Sequence, residues 1–151
     1  MKIRKATVQD VPRIYRMINT FAVQDLLLPR AFNQLYDNIR DFLLFEKGGK
    51  ICGCVGLNIT WKDLAEIRSL AVIKAEQNKG IGTKLVQASL KEAKNLKIRK
   101  IFVLTKIPKF FERFGFKKMP KRSFPRKIWI ECINCPKFPN YCDEIALMRS
   151  L

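Results

Sequence analysis

One segment of the chain, a strand that leads through a glycine-containing turn into a helix, constrains the fold more than any other. Residues 64–72 are strand-like, the turn occupies 77–82, and 83–93 has helical hydrophobic spacing. Such a turn aims several backbone N–H groups at one point, where the helix dipole adds partial positive charge. Gly80 and Gly82 let the backbone approach an anion without an intervening Cβ. We expect a phosphate or pyrophosphate site here, and a flexible turn without a ligand is the alternative.

The spacing of the two glycines excludes two common phosphate motifs. A P-loop would place Lys and then Ser or Thr directly after its second glycine, whereas Ile81 follows Gly80. A dinucleotide-binding turn needs three spaced glycines, and this turn has two. The pattern that remains is Gln-x-x-Gly-x-Gly after a strand that ends in Leu-Ala-Val.

The composition restricts both the partners and the catalytic chemistry. The 151 residues include 30 Lys and Arg against 13 Asp and Glu, a formal net charge of +17 that favours anionic partners. Because no helix-turn-helix, zinc-finger or RNP-like pattern accompanies these charges, steering of small anions is favoured over specific nucleic-acid binding. The chain contains no histidine, which excludes histidine as a base, triad member or metal ligand.

Length and hydropathy predict one cytoplasmic domain over residues 1–151. No apolar run approaches the roughly 20 residues of a membrane span, and the N-terminus lacks the apolar core of a signal peptide. No linker-like segment divides the chain, and the Pro- and Cys-rich segment 120–143 is assigned to the same domain as a loop. The five cysteines are expected to be mainly reduced thiols.

The hydrophobic periodicity predicts a mixed α/β fold. A partly apolar loop is expected at 21–30, and Gly48-Gly49 predicts a hairpin turn. Strands are predicted at 3–6, 42–47, 50–60, 63–72, 100–105, 116–119 and 144–148, and helices from 11, from 31 to about 41, from 82 to about 96 and at 108–114.

This order of elements, together with the Gln-x-x-Gly-x-Gly turn, resembles the GNAT superfamily of N-acetyltransferases. The resemblance implies a mostly antiparallel, mixed central sheet flanked by helices, a splay between the fourth and fifth strands, and acetyl-CoA as co-substrate. In that family the splayed strand binds the pantetheine arm through its main chain and the turn holds the pyrophosphate. The cofactor-binding residues implied are Leu70, Ala71, Val72, Gln77, Asn78, Lys79, Gly80, Ile81, Gly82 and Thr83. Leu70 and Val72 also suit core positions, and the two roles are compatible.

Further segments narrow the resemblance to the short, single-domain N-acetylglutamate synthases of bacterial arginine biosynthesis. They lie at 28–30, 36–42, 63–72 and 110–116, and the tail 125–144 is similar to the C-terminus of the short form. The resemblance implies acetyl transfer to the α-amine of L-glutamate by direct attack in a ternary complex. Arginine as a feedback inhibitor and a homodimer stay open. The alternatives are another amine acceptor, such as glutamine or a protein N-terminus, and a non-catalytic basic module that binds CoA or an effector.

Acetyl transfer to glutamate needs a general base and groups that pair with two carboxylates. Glu66, on the strand expected to border the acetyl group, is the candidate base acting through water. Because residues 66, 68, 70 and 72 share one face of a regular strand, Arg68 is expected beside Glu66. A structural ion pair between Glu66 and Arg68 is the alternative.

Arginine is the side chain that best matches a carboxylate. We expect Arg68, and Arg30 from a flexible loop, to bind glutamate, with Ser69 as a hydroxyl donor and Lys127 closing the pocket. A solvated surface charge is the alternative for each cation in so basic a chain.

The general acid is less apparent, because the short helix after the fifth strand carries a tyrosine in many GNAT enzymes and residues 107–113 carry no hydroxyl here. Thr105 is the candidate, and Tyr141 and solvent are the alternatives.

The spacing of Cys132, Cys135 and Cys142 suits one part of a metal site, but zinc normally requires four ligands. A fourth ligand would have to be Cys52, Cys54, Asp143 or Glu144. Buried thiols or a labile disulfide are favoured instead, and no metal is expected.

Overall fold

The computed structural model of the chain describes residues 2–24, 26–120 and 144–151. The strands are β1 (Lys2–Lys5), β2 (Phe42–Lys47), β3 (Lys50–Trp61), β4 (Leu64–Val72), β5 (Lys100–Thr105), β6 (Lys117–Lys118) and β7 (Ile145–Ser150). The α-helices in the described ranges are α1 (Val11–Val23), α2 (Phe32–Asp37), α3 (Ile81–Asn95) and α4 (Pro108–Glu112). The strands form one mixed sheet in the order β1-β2-β3-β4-β5-β7-β6.

The chain packs into two compact units, of which the first comprises Met1–Asn58 and Ile67–Leu96. Within it β1 pairs antiparallel with β2, and β2 with β3. The loop between β2 and β3 has φ of +58° at Gly48 and +76° at Gly49, as the tight turns that match strand twist require. Its core joins side chains of α1, α2 and the strands: Val11, Ile14, Met17, Ile18, Leu35, Phe42, Leu44, Ile51, Cys54 and Ala71.

Helix α3 packs closely on the sheet because β3 carries a glycine where the two approach. A Cβ at Gly53 would lie 3.0 Å from Leu85 Cδ1 and 3.2 Å from Ile81 Cγ2. Ile81 and Leu85 are themselves buried. The packing therefore fixes the first turns of α3 against β3, and with them the glycine-containing turn that precedes the helix.

The second unit comprises Ile59–Glu66 and Lys97–Leu151. Leu64–Glu66 of β4 pair in parallel with Lys100–Phe102 of β5, and β7 pairs antiparallel with both β5 and β6. Around α4 four phenylalanine rings make edge contacts with centroid distances of 5.1–5.7 Å, namely Phe110, Phe111, Phe114 and Phe116.

The predicted fold class, a mixed and mostly antiparallel sheet flanked by helices, is confirmed, but two element boundaries were wrong. Helix α1 continues to Val23, into the predicted loop. The helix expected over 31–41 ends at Asp37 and is followed by a 3₁₀ turn at Ile39–Asp41. At this break Asn38 donates to the Gln34 carbonyl from both its backbone N, at 3.1 Å, and its side-chain Nδ2, at 2.8 Å.

Most of the predicted loop 120–143 lies outside the described residues, and the single-domain organisation stays a prediction. In the described part of the chain, no helix combines the length and apolar character needed to cross a membrane.

Candidate active site

The turn before α3 has the geometry of an anion site. Asn78 and Gly80 adopt left-handed conformations, with φ of +63° and +82°. Gly80 is the N-cap of α3 and has no side chain with which to cap it, and the first helical turn contains no acidic residue. The ladder begins with Lys84 N donating to the Gly80 carbonyl at 3.1 Å. The amides of Ile81, Gly82 and Thr83 therefore have no acceptor within the helix, which suits a phosphate group.

Side-chain contacts connect this turn to the strand before it and to neighbouring residues. Gln77 Nε2 donates to the Val72 carbonyl at 3.0 Å, so the end of β4 is tied to the turn. Glu76 pairs with Lys47 at 2.7 Å and with Lys79 at 3.1 Å. The hydrogen bond from Lys47 lowers the pKa of Glu76 and raises that of Lys47. The sequence analysis missed Glu76, although its i, i+3 spacing to Lys79 is a recognisable signal.

The strand that leads into the turn is irregular at Ser69, whose φ is +56°. The prediction of a regular strand is wrong at this residue, so the faces occupied by Leu70 and Val72 do not follow from counting onward from Glu66. The Cys54 thiol donates to the Ser69 carbonyl with an Sγ–O distance of 3.4 Å. Ser69 and Ala71 are buried, whereas Arg68, Leu70 and Val72 are partly exposed. The predicted pantetheine-binding residues thus follow a left-handed break in the strand.

The second unit contains both predicted catalytic residues. Glu66, 9% exposed, lies opposite Phe102, where the pairing of β4 with β5 ends although β5 continues to Thr105. This limited register agrees with the predicted splay. Thr105 lies three residues beyond Phe102, about 10 Å along the strand. Its Oγ1 accepts a hydrogen bond from Ile107 N at 3.0 Å, so Thr105 also shapes the turn into α4.

Arg68 lies close to a partly buried acidic group that the sequence analysis missed. Asp41 Oδ2 accepts a hydrogen bond of 2.9 Å from Asn58 Nδ2. Burial raises the pKa of Asp41, while the Asn58 hydrogen bond and the positive charges of Arg68 and Lys5 act in the opposite direction. Asp41 thus provides a negative charge near the Arg68 guanidinium from a different element. No sequence signal relates positions 41, 58 and 68.

Arg30 is held through its backbone. Asn19 of α1 donates from Nδ2 to the Arg30 carbonyl at 3.0 Å and accepts at Oδ1 from Arg30 N at 3.3 Å. The expectation of a flexible loop is therefore wrong at Arg30 itself. The partners lie 11 positions apart, on α1 and in the loop that follows it, and nothing in the sequence indicated the contact.

The remaining predicted residues are Lys127, Tyr141 and the cysteines Cys132, Cys135 and Cys142, all outside the described residues. Cys52 and Cys54 are buried free thiols, and burial raises the pKa of Cys54 to about 12. Within residues 2–24, 26–120 and 144–151, no group of three or more Cys, Asp or Glu side chains could hold a metal ion.

The class of protein is indicated by a mixed sheet with a short parallel register, an irregular strand and a turn with the geometry of an anion site at the start of a helix. The acetyltransferase (GNAT) family model matches residues 8–116, and the chain belongs to this family. It is a GNAT N-acetyltransferase, and the predicted acetyl-CoA co-substrate is confirmed at the level of the family.

Individual relatives refine the class. An uncharacterized N-acetyltransferase of Chlorobaculum tepidum is 38% identical over 149 residues, covering 99% of this chain and 96% of the relative. An amino-acid acetyltransferase of Mycobacterium tuberculosis is 38% identical over 117 residues, covering 76% of this chain and 67% of the relative.

The similarity extends to solved structures. The N-acetylglutamate synthase of Neisseria gonorrhoeae, complexed with coenzyme A and N-acetyl-glutamate, matches with a TM-score of 0.90 and 27% identity, covering 99% of this chain and 35% of that chain. Its complex with coenzyme A and L-arginine matches with a TM-score of 0.82 and 26% identity, covering 99% of this chain and 33% of that chain. The present chain therefore spans about a third of that enzyme's length, and the predicted resemblance to N-acetylglutamate synthases is confirmed.

Proposed function

We propose that this N-acetyltransferase transfers the acetyl group of acetyl-CoA to the α-amine of L-glutamate, giving N-acetylglutamate. The observation that carries the proposal is the position of Arg68, which directly precedes the break in β4 and lies in the same compact unit as the anion-binding turn. A cation there can bind an acidic acceptor near the strand assigned to the thioester arm. The relatives named amino-acid acetyltransferase support an amino acid as the acceptor.

Glutamate has two carboxylates, and the chain offers two arginines for them. Arg68 is placed by the strand, and Arg30 by the contact of its backbone with Asn19. A guanidinium has five N–H donors, so Arg68 can face both Asp41 and a substrate carboxylate. Ser69 and Lys127 complete the set of residues proposed to bind the substrate. The cationic pair disfavours polyamine acceptors because like charges repel.

The proposed chemistry is a direct transfer. Glu66, through a water molecule, accepts a proton from the α-ammonium group, and the freed nitrogen attacks the thioester carbonyl carbon. A nitrogen–carbon bond forms, the carbon–sulfur bond breaks, and the electron pair stays on the sulfur. The main chain at Leu70–Val72 and the amides of residues 77–83 hold the donor in place during these steps.

The departing thiolate takes a proton from Thr105 or from solvent. The attacking nitrogen carries one proton more than the amide product keeps, and it releases that proton to the Thr105 oxygen or to solvent, so that Thr105 regains its hydroxyl. A hydroxyl whose oxygen accepts one hydrogen bond still has its own proton to donate, so the Ile107–Thr105 bond is compatible with this role. A thiolate is a stable leaving group near neutral pH, and the proton donor is therefore expected to contribute less than Glu66.

The proposal places the reaction at the first step of arginine biosynthesis, with L-arginine as an inhibitor. The complex of the gonococcal enzyme with L-arginine supports the proposal of inhibition. Initial rates measured with and without L-arginine test it. Homodimer formation also stays a prediction, and light scattering measures it directly.

The experiment that tests the proposal follows thiol release from acetyl-CoA with glutamate, glutamine, aspartate, lysine and spermidine in parallel. Saturable turnover on glutamate, at a kcat/KM at least tenfold above that for the other amines, is the expected result. Turnover confined to glutamine or to an amine without a carboxylate would keep the acetyltransferase class and reject glutamate. Coenzyme A binding without turnover on any amine would favour the non-catalytic module.

A further inference from the structure

We propose that Asn19 is a positioning residue for the acceptor substrate, because its side-chain amide fixes the backbone of Arg30 and so directs the Arg30 guanidinium toward a substrate carboxylate. The inference rests on the proposed function, in which Arg30 binds glutamate. Asn19 itself does not touch the substrate in this proposal, and it acts only through Arg30.

The Asn19 amide uses nearly all of its hydrogen-bonding capacity in this contact. Besides the two bonds to Arg30, its Nδ2 donates to the Tyr15 carbonyl at 2.9 Å, one helical turn earlier. Both amide hydrogens and the carbonyl oxygen therefore have partners. Because Tyr15 and Asn19 belong to α1, whose apolar face is buried in the core of the first unit, the amide is fixed to a rigid element.

The chain is held again immediately after Arg30. Ala31 N donates to Gln34 Oε1 at 2.8 Å, which fixes the start of α2. The ring of Phe32 stacks on that of Tyr15, with centroids 3.9 Å apart and planes within 10°. The backbone of Arg30 is thus held by Asn19, and the chain two residues later is held by the contact of Phe32 with Tyr15. Both contacts attach the segment to the same helix, α1.

This arrangement matters for binding because ordering a loop at the moment of binding lowers affinity. Fixing one residue's backbone costs conformational entropy, and a residue that is already ordered avoids that loss on binding. The chemistry of asparagine is specific to the task. Aspartate would lack the donor for the Arg30 carbonyl, and leucine would fill the space without either hydrogen bond.

The test compares Asn19→Ala with Asn95→Ala, which removes an exposed amide from the end of α3. Steady-state kinetics with glutamate and acetyl-CoA are measured for both variants, for Arg30→Ala and for the double variant Asn19→Ala/Arg30→Ala. We expect Asn19→Ala to raise the KM for glutamate about tenfold, since small misplacements of a binding group have large effects. The KM for acetyl-CoA and kcat should stay within about twofold of the wild-type values.

The double variant separates a positioning role from a structural one. If Asn19 acts through Arg30, the double variant has the same KM for glutamate as Arg30→Ala alone. A lower melting temperature with an unchanged KM would show a structural role and overturn the inference, and so would independent, multiplying effects in the double variant. Wild-type protein that acetylates a different amine would reject glutamate, and the same four variants assayed with that amine would then decide the role of Asn19. Wild-type protein without turnover would overturn both proposals.

Discussion

The two binding regions of the first compact unit are built in different ways. The anion-binding turn consists of main chain, with left-handed residues Asn78 and Gly80 and the free amides that begin α3. The proposed acceptor region consists of side chains from distant parts of the chain, with Arg30 held by Asn19 and Arg68 near Asp41. A main-chain site depends on the local sequence, whereas a side-chain site depends on the packing of several elements.

This difference has a functional meaning. A common donor can be bound by a turn whose geometry tolerates variation in most of its side chains. Acceptor specificity requires particular charged groups, each fixed by a partner on another element. Substitutions in the two regions should therefore separate into effects on the KM for acetyl-CoA and effects on the KM for glutamate.

The largest effect is expected for Arg68→Ala in the acceptor region. Loss of a charge-assisted carboxylate contact should lower kcat/KM for glutamate at least 100-fold, about 2.7 kcal/mol of transition-state stabilisation. The KM for acetyl-CoA should stay within about twofold of the wild-type value. Arg16→Ala removes an exposed arginine of the same unit and serves as the matched control. Equal kinetics for the two variants would remove Arg68 from the site.

The next effect is expected for Gly80→Ala in the main-chain region. The side chain meets no neighbouring atom, but φ of +82° is strained for alanine by about 1–2 kcal/mol, so the turn should relax and its amides should move. The KM for acetyl-CoA should rise about tenfold, with the KM for glutamate unchanged. Gly49→Ala is the control, because Gly49 has φ of +76° and equally open surroundings. Both variants should lose similar stability in thermal melts, and only Gly80→Ala should lose cofactor affinity.

A smaller effect is expected for Asp41→Asn, which removes the charge near Arg68 while keeping the size of the side chain. If Asp41 helps to orient the guanidinium, the KM for glutamate should rise about three- to fivefold, in line with a loss of about 1 kcal/mol for an indirect contact. Asp37→Asn makes the same change at an exposed carboxylate four residues earlier. A KM that matches this control would show that Arg68 is oriented without Asp41.

The smallest effect concerns the pH dependence of folding stability. Pairs of charged side chains make stability depend on pH, whereas hydrogen bonds between main-chain groups do not. Arg4 donates to both carboxylate oxygens of Asp10 at 2.9 Å and lowers the pKa of Asp10 to about 2 from 3.8. The unfolded chain therefore binds more protons between these values, so the stability that this pair contributes is fully present well above pH 4 and is lost as the pH falls toward 2. Urea unfolding at pH 5 and pH 3 should show a loss about 0.5–1 kcal/mol larger in wild type than in Asp10→Asn, because solvent screens this partly exposed pair. Identical losses would show that the pair does not couple to folding.

The sequence was sufficient for those parts of the structure that local chemistry determines. The Gly48-Gly49 hairpin, the turn before α3 and the order of the elements each follow from glycine positions and hydrophobic spacing, and all appear in the structure. The resemblance to N-acetylglutamate synthases came from other short segments, at 28–30, 36–42, 63–72, 110–116 and 125–144.

The sequence could not predict the contacts that hold the proposed acceptor residues. Asn19 and Arg30 lie 11 positions apart, and Asn58 and Asp41 lie 17 apart. Arg30 lies beyond the end of α1, and Asp41 and Asn58 belong to different elements, so only the packed fold brings the partners together. The left-handed conformation of Ser69 was missed for a related reason, because a serine in a strand pattern carries no conformational signal of the kind that glycine provides.

The buried thiol of Cys54, whose hydrogen bond to the Ser69 carbonyl links β3 to the irregular strand, has a chemical consequence for a protein that handles thioesters. Burial raises the pKa of Cys54, so its thiol stays protonated near neutral pH. Because the thiolate is the nucleophile in thioester exchange, a buried thiol that stays protonated is a poor acceptor for the acetyl group. The Cys54 thiol can therefore lie against this strand without offering a thiolate that competes with the acceptor amine for the acetyl group.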